Sequence, residues 1–122
     1  MKRTKPSERG KWAEDLAYTY LSEQGLRLVT RNYRCQLGEI DLIMQHVTHL
    51  VFVEVRYRAS QRYGGGLESI DYRKQQRLLL TATHYLQTHS EAQQYICRFD
   101  AVIISGQYPT APLQWLIDAF QA

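Results

Sequence analysis

Two stretches of the chain alternate between apolar and polar positions in the manner of strands. They are Gly38-Glu39-Ile40-Asp41-Leu42-Ile43-Met44 and Val51-Phe52-Val53-Glu54-Val55-Arg56. Their closeness predicts a β-hairpin whose turn centres on Val47-Thr48, in place of the usual Asn-Gly. In that register Met44 faces Val51, Leu42 faces Val53 and Asp41 lies directly across from Glu54. Opposed residues have Cβ atoms roughly 4.5–5.5 Å apart, so two carboxylates would stand side by side in an apolar strand pair. Like charges so placed need compensation, by a divalent cation or by a nearby arginine.

The rest of the pattern frames this hairpin. Ala13, Leu16, Ala17, Tyr20 and Leu21 recur at helical spacing, predicting a helix from Arg9 or Trp12 to Gln24 with Gly25 as its C-cap. Leu26 to Tyr33 reads as a first strand. Residues 59–68 contain three successive glycines and read as a loop. A second helix is predicted from Asp71, its N-cap, to Thr88, with Leu78, Leu79, Ala82, Tyr85 and Leu86 as its apolar stripe. After a polar turn over residues 89–94, Tyr95–Ser105 and Leu113–Ile117 read as strands. A loop at Gly106–Pro112 joins them, and a short helical turn ends the chain. The order α-β-β-β-α-β-β predicts an α/β fold with a mixed central sheet flanked by helices.

Length and composition narrow the classes. The chain has 122 residues, enough for one domain and too few for two. Residues 1–9 read as a mobile basic tail and 10–122 as a single α/β domain. No apolar run approaches the roughly 20 residues of a membrane span. The basic start, Met1 to Pro6, is followed by no apolar segment, so a secretory signal is not expected and a cytoplasmic location is. Cys35 and Cys97 are expected to be buried thiols rather than a disulfide. The net charge is +3, and eleven of the fifteen basic residues are arginine, whose forked head suits phosphate.

Candidate chemistry gathers on one part of the hairpin. Ile40, Leu42 and Met44 with Val51, Val53 and Val55 make one apolar face. The other carries Glu39, Asp41, Ile43 and Gln45 against Arg56, Glu54, Phe52 and Leu50, so its charged half is expected where the covering structure ends. A carboxylate pair there suits Mg²⁺ or Mn²⁺, which take oxygen ligands and keep several waters. Glu14 shares a helical edge with Ala17, Tyr18 and Leu21. Lys74 precedes Leu78 and Ala82 by four and eight positions, so it is expected to point at the sheet. The competing reading makes Asp41 and Glu54 part of an ion-pair network with Arg56 and Arg58. Glu39 is expected to pair with Arg56 across the hairpin, and Asp100 to bond a loop amide or Arg98. His46 and His49 flank a turn and do not suggest zinc. Gly64-Gly65-Gly66 lacks the Lys-Ser ending of a phosphate-binding P-loop. Arg31, Arg34, Arg58, Arg62 and Arg73 are candidate phosphate contacts. Tyr57 and Tyr63 suit base stacking or core packing equally.

Gly-Glu-Ile-Asp-Leu-Ile, Val-Phe-Val-Glu-Val-Arg, the Tyr-Gly-Gly before a lysine-bearing helix, and Arg98-Phe99-Asp100 together resemble the uncharacterised bacterial YraN, or UPF0102, family. The likeness runs from Glu14 to Asp118. That family is similar to archaeal Holliday-junction resolvases of the restriction-endonuclease-like, PD-(D/E)xK nuclease group, and the resemblance implies their αβββαβ core. It further implies an Mg²⁺- or Mn²⁺-dependent endonuclease acting on DNA, branched or junction DNA in particular, as a homodimer. Carried over, Asp41 is the metal-binding aspartate, Glu54 the second acid and Glu14 the helix-one glutamate. The group's lysine two positions after Glu54 is Arg56 here. Arginine stays charged and stabilises an anion but does not deprotonate water, so Lys74 is the candidate to take the lysine's place. The alternative is a non-catalytic module on the same fold that binds nucleic acid or protein.

Overall fold

A computed structural model describes residues 6–58, 70–106 and 112–121. Its elements are α1 (Pro6–Glu23), β1 (Arg27–Cys35), β2 (Gly38–His46), β3 (His49–Arg58), α2 (Tyr72–Thr88), a 3₁₀ turn (Ser90–Gln94), β4 (Ile96–Ser105) and β5 (Leu113–Phe120). The five strands lie side by side in chain order. Neighbours are antiparallel except β3 and β4, which are parallel and joined by the α2 crossover such a pair requires. This is the mixed sheet expected, consistent with a restriction-endonuclease-like αβββαβ core, with β5 added beyond β4.

Each helix covers one face. Ala13, Ala17 and Leu21 of α1 pack with Leu42, Met44, Val51, Val53, Val102 and Ile104. Leu78, Ala82 and Tyr85 of α2 pack with Ile43, Leu50, Phe52, Phe99, Ala101 and Ile103. A hairpin covered on both sides must be apolar on both, hence the unbroken run Leu50 to Val53, all buried. Ile40 corrects one expectation. It packs with the α2 cluster rather than beside Leu42 and Met44, so strand alternation is broken at Asp41.

Local chemistry sets the ends of the elements. The Asp71 side chain accepts from the Lys74 amide at 2.9 Å and starts α2 where expected. Helix α1 begins at Pro6, inside the segment expected to be a tail; proline fits a first turn because its missing N–H has no helical partner there. The last strand runs on to Phe120 instead of yielding to a helical turn. Its register against β4 slips between Phe99 and Ala101, with Asp118 at φ 54°. Buried Asp100 accounts for this. It accepts from the Asp118 amide at 2.9 Å, Trp115 Nε1 at 2.9 Å and Arg98 Nε at 3.1 Å. A second slip lies in β1 between Leu28 and Thr30, close to Asn32 at φ 53°. The triple-glycine loop with Arg62 and Tyr63 falls outside the described residues. Cys97 is exposed and Cys35 half-buried, both free, where buried thiols were expected.

The hairpin has the expected register, Met44 to Val51 and Leu42 to Val53, and its rungs stop there. Past that point β2 continues along β1 as far as Gly38, and β3 continues along β4 as far as Arg58. The sheet therefore forks between β2 and β3.

Two stability outcomes follow. Val47, 79% exposed, holds φ 56° in the turn closed by His46 and His49. The left-handed region costs a β-branched residue about 1–2 kcal/mol and costs asparagine less. Val47→Asn is expected to stabilise the fold by about 1 kcal/mol, read as a higher urea midpoint at constant slope. Asp100→Ala strands Arg98, Trp115 and the Asp118 amide at once. Its expected cost is about 3–5 kcal/mol in the same assay.

Candidate functional site

Where two paired strands separate, their backbone amides lose cross-strand partners and must find others. At this fork the Val55 amide donates to Asp41 Oδ2 at 2.8 Å. Asp41 and Glu54 are the first residues beyond the last rung on β2 and β3 respectively. The fork thus brings both acids to one spot and gives Asp41 a backbone anchor. Glu54 is 5% exposed, with Arg56 Nε at 3.6 Å and Lys74 Nζ at 3.8 Å. Lys74 reaches inward from the first turn of α2, the direction its helical spacing predicts.

The electrostatics favour protons. Burial, then the charge of Glu54, raises the Asp41 carboxyl from the usual 3.8 to about 7; Glu14 and Glu39 add to this and the Val55 amide opposes it. Burial also raises Glu54, and the opposing pull of Lys74 and Arg56 does not cancel it. No cation lies within 4 Å of Asp41 among the described residues, so arginine neutralisation reaches only Glu54.

The other candidates are distributed around this pair. Glu14 stands close enough to raise both carboxyls, while its own Oε1 lies 3.4 Å from Arg31. Arg31 is shared with Asp15 at 2.9 Å and lies over the Tyr18 ring. Glu39 pairs with Arg34 at 3.4 Å, its cross-strand neighbour on β1, and not with Arg56 as expected; the β1–β2 ladder continues where the β2–β3 ladder has stopped. Arg58 ends β3 half-buried, and Arg73 is exposed on the first turn of α2. Tyr57 is held inward, its hydroxyl donating to the Gly106 carbonyl at 3.1 Å and its ring edge-on to Trp12. That is packing, not a stacking platform. Asp100 belongs to the β4–β5 bulge, and His46 contacts Arg98.

Two cations escaped the sequence reading. Arg77 lines a cleft of about 490 Å³ together with Lys74, Arg34 and Gly38. Lys11 lines a second, of about 430 Å³, with Glu14 and Arg31. The signal for Arg77 was its i+3 spacing from Lys74, which places both on one helical edge. Lys11 carries no comparable signal.

Chemically, two acids that burial and mutual repulsion keep from ionising together are relieved by a divalent cation. Mg²⁺ binds through one or two carboxylates, waters and a substrate phosphate, and Asp41 with Glu54 fits that donor set. Among the described residues no group of three or more His, Cys, Asp or Glu converges for a metal. A cation here would draw its remaining ligands from beyond the described His, Cys, Asp and Glu side chains, water and a substrate phosphate among them.

Residues 13–104 match the pattern of Uncharacterised protein family UPF0102. A UPF0102 protein of Pseudomonas putida KT2440 is 48% identical over 122 residues, covering 99% of this chain and 98% of its own. One from Nitrosococcus oceani is 49% identical over 121 residues, with coverage of 99% and 98%. One from Legionella pneumophila, strain Philadelphia 1, is 47% identical over 115 residues, with coverage of 94% and 96%.

The raised Asp41 carboxyl has a thermodynamic consequence. Between its unfolded value near 3.8 and its folded value of about 7, the folded chain binds more protons than the unfolded one. Stability therefore falls as pH rises through that window and is flat above it. Asp41→Asn keeps an acceptor for Val55 and removes the titration. The variant is expected to gain on wild type from pH 4 to 7, reaching an advantage on the order of 2–4 kcal/mol at pH 8. Urea midpoints at both ends of the range check it.

Proposed function

The chain belongs to the uncharacterised protein family UPF0102, and on that premise we propose that it is an Mg²⁺- or Mn²⁺-dependent endonuclease hydrolysing phosphodiester bonds in DNA. Branched or junction DNA is the proposed substrate, and two copies acting together suit a substrate cut on two strands. One observation carries the reading. Asp41 and Glu54 meet at the fork of the sheet, and a lysine from another element stands 3.8 Å from the second acid. Two acids and a lysine are the functional groups that metal-assisted phosphodiester hydrolysis uses, here with the lysine supplied by α2.

In this reading Asp41 and Glu54 hold the cation, with Asp41 oriented by the Val55 amide. When bound, the ion supplies a water of lowered pKa and positive charge beside the phosphoryl oxygens. Lys74, anchored by Glu54, orients the attacking water. Arg56, always charged, stabilises the extra negative charge on phosphorus-bound oxygen. Glu14, occupied with Arg31, acts through water rather than as a direct ligand.

A second reading has its own observation. Arg56 and Lys74 both lie within 4 Å of Glu54, the arrangement of a fold that has neutralised an acid and only binds nucleic acid or protein. Mn²⁺ calorimetry with and without DNA, together with cleavage assays on linear and junction DNA, separates the two. The enzyme reading expects Mn²⁺ binding and cleavage in wild type, both lost in Asp41→Asn while DNA affinity persists. Lys74→Gln is expected to slow cleavage by about 10²-fold or more while leaving Mn²⁺ binding in place. Wild type that takes up no Mn²⁺, even with DNA present, overturns the enzyme reading.

A further inference from the structure

Two clefts are lined by neighbours of the acid pair, one bordered by α2 and the other by α1. The α2-side cleft holds Arg34, Gly38, Glu39, Lys74 and Arg77. The α1-side cleft holds Lys11, Glu14, Arg31, Asn32, Arg34 and Glu39. Each contains residues that act on the carboxylates. Lys74 contacts Glu54, while Glu14 and Glu39 raise both carboxyls. The clefts share one wall, the Arg34–Glu39 pair.

Their charge selects the ligand. The α2-side cleft has three cations against one carboxylate. In the α1-side cleft Arg31 is already taken by Asp15 and Glu14, which leaves exposed Lys11 and Arg34, the latter paired with Glu39. Among the described residues neither Lys11 nor Arg77 has a carboxylate within 4 Å, so neither is committed to an ion pair with one of them. The shared pair is itself easily opened. Arg34 is 73% exposed and Glu39 36%, and an ion pair so accessible to water is weak. The α2-side wall is fixed by contrast. A Cβ on Gly38 would lie 2.8 Å from Thr81 Oγ1, so only glycine lets the start of β2 close onto α2. Cations spread over two separate seats, with a breakable pair between them, suit an extended polyanion better than a compact acid.

We propose that these clefts seat the backbone phosphates on either side of the bond at Asp41 and Glu54, with Arg77 the anchor on the α2 side and Lys11 on the α1 side. Arg34 leaves Glu39 to bridge them as the strand crosses. This rests on the nuclease reading and adds to it the path of one DNA strand, from α1 across the fork to α2.

The test is the salt dependence of DNA affinity, measured without metal so that nothing is cut. A fluorescein-labelled single strand is titrated by anisotropy at salt concentrations between about 50 and 200 mM. Each lost phosphate contact lowers the slope of log K against log salt by about 0.7 on single strands. Arg77→Gln and Lys11→Gln are each expected to lower it by about that amount, and the double variant by about twice as much. Arg27→Gln is the control. It removes the same charge at the opposite end of β1, where Arg27 bonds Gln45, and is expected to leave the slope unchanged. Unchanged slopes in the two cleft variants, or an equal fall in the control, overturn the clefts as phosphate seats. Wild type that binds no DNA overturns them too. The metal site stands or falls separately, on Mn²⁺ calorimetry without DNA.

Discussion

The whole arrangement depends on one hydrogen bond, from the Val55 amide to Asp41 Oδ2. A sheet that forks exposes amides that the ladder had satisfied, and an orphaned amide in a covered region is costly. A carboxylate one step past the last rung answers that need and is itself held in place by the answer. The acid is thus structural and chemically available together. It closes the crotch of the fork and presents its charge to the opening, where Glu54 stands on the other tine. The fork also lets groups from both helices meet, since Glu14 of α1 and Lys74 of α2 lie on opposite sides of an otherwise continuous sheet.

The balance of charge at the opening follows from burial more than from pairing. Glu54 has two cations near it and is still shifted toward its protonated form, because little water reaches it. Asp41 has no such cation among the described residues and shifts as well. An acid pair in this state gains from an added positive charge, and on that property the proposed metal site rests.

Much of this could be read from the chain because it is local. The hairpin register, the Asp71 cap and the inward direction of Lys74 each follow from period-two or period-3.6 spacing within a few residues. What escaped was set by partners distant in sequence. Glu39 turns to Arg34 because β1, not β3, remains beside it past the fork. Ile40 changes company because the alternation breaks at Asp41, and no local pattern announces where a ladder will stop. The continuation of β5 past Asp118 depends on a buried carboxylate on β4, eighteen residues earlier in the chain. Arg77 and Lys11 were ordinary helix-surface cations until β1 and β2 gave each a cleft to line.

Both edges of the sheet carry a kink. On β1 it is the slip between Leu28 and Thr30 with Asn32 beyond it, and on β5 it is the bulge at Asp118 that Asp100 holds. A straight edge strand offers a row of open amides and carbonyls on which another chain can grow a further strand; a bent one breaks the row. The bond network around Asp100 therefore does more than finish the fold. It breaks the open row along β5, as the slip between Leu28 and Thr30 does along β1, and makes that edge a poorer template for another chain.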